Sequence, residues 1–326
     1  MIVTLKSNAD PAPVQRELVR RGLWVRRLEG GDGVQFLIEP RSASVPRPEL
    51  LAIDGVASVA VETPLHPRVD QQTELVDVAG LPVGVAAEPV FMVGPCSVES
   101  EAQIHAIAAR LAPLGVQFLR GGAFKARTSP YDFQGHGADA LSWLRSAADA
   151  SGLKVVTEVL AVEDAERVAS RADMLQIGSR NMQNFALLRA AAAQNRPMLL
   201  KRGMAATVDE WLLAGEYCLV HGASSVVFCE RGIRGFDPST RNLLDLGAVA
   251  LLANVHRLPV IVDPSHGAGR RDLLPALSRA ALAAGACGLM LETHDDPGSA
   301  LSDGPQALPP EQLEALLDGL RPTAER

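Results

Sequence analysis

The chain has 326 residues, 47% of them apolar, which suits one large domain or a large domain with a small companion and supplies ample core. Charged residues make up 21% and the net charge is −7, which argues against a surface built to coat nucleic acid. Its longest apolar run, near residues 246–255, is too short to span a bilayer, and residues 1–10 lack the pattern of a secretory leader.

Residues 1–64 are expected to form a small separate unit. A strand at 1–6, a helix at 11–21 opened by Asp10 and Pro11, strands at 23–28 and 34–39 around a Gly-rich turn, a helix at 47–54 and a strand at 56–61 give the order βαββαβ. That order suits a ferredoxin-like sandwich, which binds a small effector or serves only for packing and association. Residues 65–89 are expected to be a linker with a hairpin around 74–85 that could cover one end of the larger domain.

From residue 90 the pattern changes to apolar strands alternating with amphipathic helices. Strands are expected at 90–95, 117–122, 154–159, 174–178, 197–201, 225–229, 259–263 and 288–292, and helices include 99–112, 138–150, 183–195 and 241–256. Thr207 and Glu210 have the spacing of a capping box. Eight such repeats over residues 90–326 fit an α/β (β/α)8 TIM barrel, with a doubly wound sheet as the alternative.

Polar residues fall at the carboxyl ends of these strands: Cys96, Arg120 with Lys125, Glu158, Arg180, Lys201, Glu230 with Arg231, Asp263 with His266, and Glu292 with His294. In a barrel these ends share one face, and so many buried charges are costly unless they serve a charged ligand. The segment 118–135 is the densest part, with Arg120, two glycines, Lys125, Arg127, Thr128 and Ser129. Its guanidinium forks and ammonium suit phosphate or carboxylate, so a small, strongly anionic substrate is expected. Cys96, His266, Glu292 and Asp303 offer a thiolate, an imidazole and two carboxylates, a set that favours Mn, Fe, Co or Zn over Mg. The four cysteines form no framework, which points to reduced thiols and a cytoplasmic compartment.

Several blocks occur together and in order: Gly94-Pro95-Cys96-Ser97, Lys125-Ala126-Arg127-Thr128-Ser129-Pro130-Tyr131, Gln176-Ile177-Gly178-Ser179-Arg180-Asn181-Met182, Leu200-Lys201-Arg202-Gly203, Cys229-Glu230-Arg231-Gly232, Asp263-Pro264-Ser265-His266, Glu292-Thr293-His294 and Ser302-Asp303-Gly304. In these the chain resembles the 3-deoxy-D-arabino-heptulosonate 7-phosphate (DAHP) synthases, in the short form with an amino-terminal ferredoxin-like domain. The resemblance implies a metal-dependent, aldol-like condensation of phosphoenolpyruvate with erythrose 4-phosphate at the head of the shikimate pathway. It implies Cys96, His266, Glu292 and Asp303 as ligands of a divalent transition metal. Arg120, Lys125, Arg180, Lys201 and Arg231 would hold phosphoenolpyruvate, and Arg127, Thr128 and Asp263 would surround erythrose 4-phosphate.

Lys125, Glu158 and His266 are the expected catalytic side chains, with Glu158, His266 and the metal all open as activators of the attacking water. The family usually has Pro where this chain has Ala126, a change expected to loosen the loop. A related alternative is 3-deoxy-D-manno-octulosonate 8-phosphate synthase, which uses arabinose 5-phosphate and carries a longer Lys-to-Arg spacing; a silent metabolite sensor is the alternative from another class. The resemblance further implies an aromatic amino acid effector and a homo-oligomer.

Overall fold

A computed structural model of the chain describes residues 1–30, 33–60, 65–125 and 129–320. Contacts divide it into two compact units, Met1–Leu65 and His66–Arg326.

In the first unit, β1 (Ile2–Leu5), β2 (Val25–Gly30), β3 (Gly33–Ile38) and β4 (Val56–Ala60) form an antiparallel sheet in the order β2-β3-β1-β4. The helices Pro11–Arg20 and Arg47–Leu51 complete the βαββαβ arrangement of a ferredoxin-like sandwich. The first of them starts where the sequence supplies a cap: Asp10 Oδ1 accepts from the Ala12 amide at 3.0 Å, and proline occupies the first helical position, where no amide is needed. Val3, Val14, Leu18, Phe36, Leu50 and Val59 make this unit's own core.

The second unit begins with a short helix, Pro67–Asp70, followed by a hairpin, β5 (Leu75–Val78) and β6 (Leu81–Gly84), turned through Ala79 and Gly80, both at positive φ. Eight parallel strands come next: β7 (Val90–Gly94), β8 (Phe118–Arg120), β9 (Lys154–Glu158), β10 (Met174–Ile177), β11 (Pro197–Lys201), β12 (Ser225–Glu230), β13 (Val260–Val262) and β14 (Gly288–Glu292). β14 pairs with β7, so the sheet closes into a barrel and the doubly wound alternative is excluded.

Successive side chains on a strand alternate between two cores. Val156, Met92, Phe118, Met174, Leu199, Val227 and Met290 fill the barrel interior, and the hairpin's Val76, Val78 and Val83 join that same cluster. The hairpin therefore plugs the interior with apolar side chains. Val155, Leu119, Leu175, Leu200 and Phe228 face outward, against helix residues such as Ile104, Leu144, Leu187 and Trp211.

The helix expected over 241–256 starts later, at Leu246, where Asp245 Oδ1 accepts from the Ala248 amide at 2.9 Å. The residues before it spend their backbone bonds elsewhere: the Arg241 and Asn242 amides donate to the Ala268 and Gly267 carbonyls, and Leu243 pairs with Ile233. Among the described residues, no helix is long and apolar enough to cross a membrane.

Candidate active site

The barrel gathers the carboxyl ends of its strands at one mouth, and four side chains that could hold a metal ion meet there. One ligand atom from each of Cys96, His266, Glu292 and Asp303 lies within 4.8 Å of the others. Cys96 follows β7, His266 sits in the helix Pro264–Ala268 after β13, and Glu292 ends β14. Asp303 lies in the loop beyond, in the left-handed backbone conformation at φ +49°. A non-glycine residue held there costs about 1 kcal/mol or more and persists only where its surroundings fix it. Part of that fixation is the contact between the buried Ser97 and Ser302 hydroxyls, 2.5 Å apart, which joins the neighbour of Cys96 to the neighbour of Asp303.

Asp263 orients the imidazole. It caps the helix through Oδ1, which accepts from the His266 amide at 2.9 Å, while Oδ2 accepts from His266 Nδ1 at 2.7 Å and from Lys201 Nζ at 2.5 Å. Burial, the largest influence on Asp263, pushes its pKa up, but His266 and Lys201 together hold the carboxyl well below its usual range. Burial also lowers the pKa of His266, against the pull of Asp263 and Glu292, so the neutral ring is favoured. With its proton on Nδ1, the ring turns the Nε2 lone pair toward Glu292 Oε1 at 3.2 Å and Asp303 Oδ2 at 3.9 Å. Cys96 Sγ is 3.2 Å from Asp303 Oδ2, and burial, reinforced by Glu292, pushes its thiol up to about 12. A cation among these atoms would relieve the repulsion between acceptors and draw off the thiol proton. The donor set fits a divalent transition metal.

Beside this cluster lies a cleft lined by Arg120, Lys125, Arg180, Lys201, Arg231 and Arg241, together with Glu158, Gln176, Asp132 and Gly178. Arg120 is tied into the cluster, donating to Glu292 Oε1 at 2.8 Å and to the Pro95 carbonyl at 2.9 Å. Lys125 Nζ lies 3.0 Å from Cys96 Sγ and 3.1 Å from the Cys96 carbonyl. Gly122 permits this approach, since a Cβ there would stand 2.7 Å from Lys125 Cδ and 2.8 Å from that carbonyl. Among the described residues, Arg231 NH1 is buried without a hydrogen-bond partner, a donor that an anionic ligand would satisfy. Glu158 Oε2 accepts from Gln176 Nε2 at 3.3 Å, and a Cβ on Gly178 would fall 2.0 Å from Oε1, so only glycine leaves the carboxylate this place.

The expected metal ligands and anion clamps thus come together at one mouth. Arg127 and Thr128, expected beside the second substrate, lie outside the described residues, as does Ala126. Asp263, expected with them, is fully buried with both oxygens engaged by His266 and Lys201. Arg241 and Gln306 escaped the sequence reading. Arg241 precedes the helix rather than ending a strand, and its NH1 lies 3.7 Å from Asp303 Oδ1. Gln306 hydrogen-bonds to Glu292 Oε2 at 2.5 Å, and a neutral amide three residues past Asp303 gives no chemical signal in sequence.

The family model described as the DAHP synthetase I family matches residues 59–325. The chain is 49% identical over 235 residues to the phospho-2-dehydro-3-deoxyheptonate aldolase of Thermotoga maritima, covering 72% of this chain and 70% of that one. The crystal structure of a Thermotoga maritima DAHP synthase superposes with a TM-score of 0.76 at 41% identity, over 97% of this chain and 95% of that one. A 2-dehydro-3-deoxyphosphooctonate aldolase of Acidithiobacillus ferrooxidans is more distant, 33% identical over 258 residues, covering 73% of this chain and 90% of that one.

Proposed function

The chain belongs to the DAHP synthetase I family and condenses phosphoenolpyruvate with erythrose 4-phosphate to give DAHP and phosphate; we infer that it does so at the barrel mouth, with a divalent transition metal held by Cys96, His266, Glu292 and Asp303. The observation that carries this reading is the convergence of those four ligand atoms within 4.8 Å, beside a cleft lined by six cationic side chains.

The residues divide the work. Arg120, Lys125, Arg180, Lys201 and Arg231 hold the phosphate and carboxylate of phosphoenolpyruvate, with the unmet Arg231 NH1 as one donor. Arg127 and Thr128 hold erythrose 4-phosphate, as the family resemblance implies. Asp263 acts by positioning, since its contacts go to His266 and Lys201. Fixing both anions brings C3 of phosphoenolpyruvate against the aldehyde carbon. The metal, when bound, supplies Lewis-acid polarisation of the aldehyde oxygen.

As the carbon–carbon bond forms, the aldehyde oxygen gains charge and takes a proton, which we assign to Lys125. C2 is left electron-poor, water adds to it, and the bond from C2 to the phosphate oxygen breaks to release phosphate and the ketone. His266 has Nδ1 on Asp263 and Nε2 among the ligands, so Glu158 is the side chain in the cleft assigned to take the proton of that water.

An aromatic amino acid effector is assigned to the ferredoxin-like unit, and self-association to the chain, on the same resemblance. Four free, buried cysteines accord with a cytoplasmic enzyme.

Phosphate release from phosphoenolpyruvate tests the reading, with erythrose 4-phosphate and arabinose 5-phosphate run in parallel, with Mn²⁺ and after chelation. Release is expected only with the four-carbon sugar and metal. Release with the five-carbon sugar alone would move the assignment to the octulosonate branch, and full activity after chelation would remove the metal from it.

A further inference from the structure

Glu292 has no exposed surface, and its two oxygens meet different partners. Oε1 faces the other ligands, 3.2 Å from His266 Nε2, and accepts from Arg120 NH1 at 2.8 Å. Oε2 accepts from the side-chain amide of Gln306 at 2.5 Å. Gln306 is 4% exposed and closes the short turn Gly304–Gln306 that begins directly after Asp303. Its carbonyl oxygen accepts from Arg241 NH1 at 3.0 Å, and the same NH1 lies 3.7 Å from Asp303 Oδ1.

Arg241 can only donate and a carboxylate can only accept, so the two partners fix which end of the amide faces which. Flipped, the amide would set N–H against guanidinium and oxygen against carboxylate.

We propose that Gln306 is a positioning residue for the metal centre: it occupies Glu292 Oε2, restricts Glu292 to ligation through one oxygen, and couples it through Arg241 to Asp303. The proposal rests on the reading that this quartet holds a metal. A carboxylate whose second oxygen is unoccupied can swing to grip a cation with both oxygens, raising the coordination number and crowding the position an aldehyde oxygen needs. An amide donor held on that oxygen opposes the swing, and outer contacts of this kind typically change metal affinity about 10- to 100-fold.

The test is Co²⁺ titration of the metal-free, full-length chain followed by visible absorption, comparing the parent with Gln306→Met and Gln306→Glu. Methionine keeps the volume without a donor, and glutamate keeps the shape while setting a carboxylate against Glu292. Melting of the metal-free proteins is measured alongside. The expected result is a Co²⁺ Kd about 10- to 100-fold weaker in both variants, weaker visible bands per bound ion in Gln306→Met as the coordination number rises, and a metal-free fold that melts cooperatively above the assay temperature. Unchanged Kd and spectrum in both variants would overturn the proposal. A loss of affinity that only follows loss of fold in both would also overturn it, making Gln306 a packing residue. A parent chain that binds no Co²⁺ would instead overturn the metal reading beneath it.

Discussion

Arg231 shows how one side chain can be held ready for an anion. Its neighbour Glu230 is fully buried and locks the turn, accepting from the Gly232 amide at 2.6 Å and from Arg202 NH1 at 3.2 Å. Arg202 in turn donates to Asp245 at 2.8 Å. Glu230 is thereby engaged away from Arg231, whose buried NH1 has no partner among the described residues. A buried donor left unmet costs about 1–3 kcal/mol, and a bound phosphate or carboxylate recovers that cost. Lysine at this position would keep the charge but lose the planar fork. For Arg231→Lys we expect the KM for phosphoenolpyruvate to rise about tenfold or more, from the loss of a charge-assisted hydrogen bond worth ~1.5–3 kcal/mol, with a smaller change in the KM for erythrose 4-phosphate. Steady-state kinetics with each substrate varied will show it; an unaltered KM for phosphoenolpyruvate would remove Arg231 from that subsite.

Among elements, the hairpin β5–β6 carries a role that its length does not suggest. Its Val76, Val78 and Val83 are buried with Met92, Phe118, Leu199 and Met290 of the barrel interior. Without it these apolar residues would face water at one end of the barrel. Val78→Asp places a carboxylate among them, and burying an unpaired polar group of this kind is expected to cost about 3 kcal/mol or more. For a barrel of this size that lowers the melting temperature by roughly 6 °C or more, while the Co²⁺ Kd of the folded protein stays at the parent value. A parent-like melting curve would show that the hairpin only rests on the surface. The hairpin was readable in sequence because Ala79-Gly80 interrupts two short alternating segments, and the barrel strands because their apolar runs end in charged residues. The start of the Leu246 helix was not. The apolar spacing of 241–256 is helical, but the backbone of Arg241 and Asn242 bonds to the Gly267–Ala268 loop, a tertiary competition with no local signature. Arg241 reaches the cleft from that same stretch rather than from the end of a strand.

At the scale of the whole molecule, the division at Leu65 and His66 separates two cores with different resources. The barrel unit has an interior core and a shell between strands and helices, and every described residue of the candidate metal cluster and cleft belongs to it. The amino-terminal unit has one small core around Leu18 and Phe36. A unit of that size buries only about 60% of the surface its unfolded chain exposes and is marginal alone. The sequence made the unit's βαββαβ order legible through its caps and turns, but an effector site needs shape and partners that residue patterns do not encode. Residues 66–326 expressed alone are therefore expected to fold, to bind Co²⁺ with the parent Kd, and to release phosphate from phosphoenolpyruvate and erythrose 4-phosphate at a kcat within a few-fold of the full chain. Phenylalanine, tyrosine and tryptophan are expected to alter the rate of the full chain and to leave the shortened one unaffected. The comparison needs both proteins assayed at the same metal and substrate concentrations, with each amino acid titrated. A shortened chain that still responds would put the effector site on the barrel, and one that folds and binds Co²⁺ but does not turn over would make the amino-terminal unit part of the catalytic apparatus.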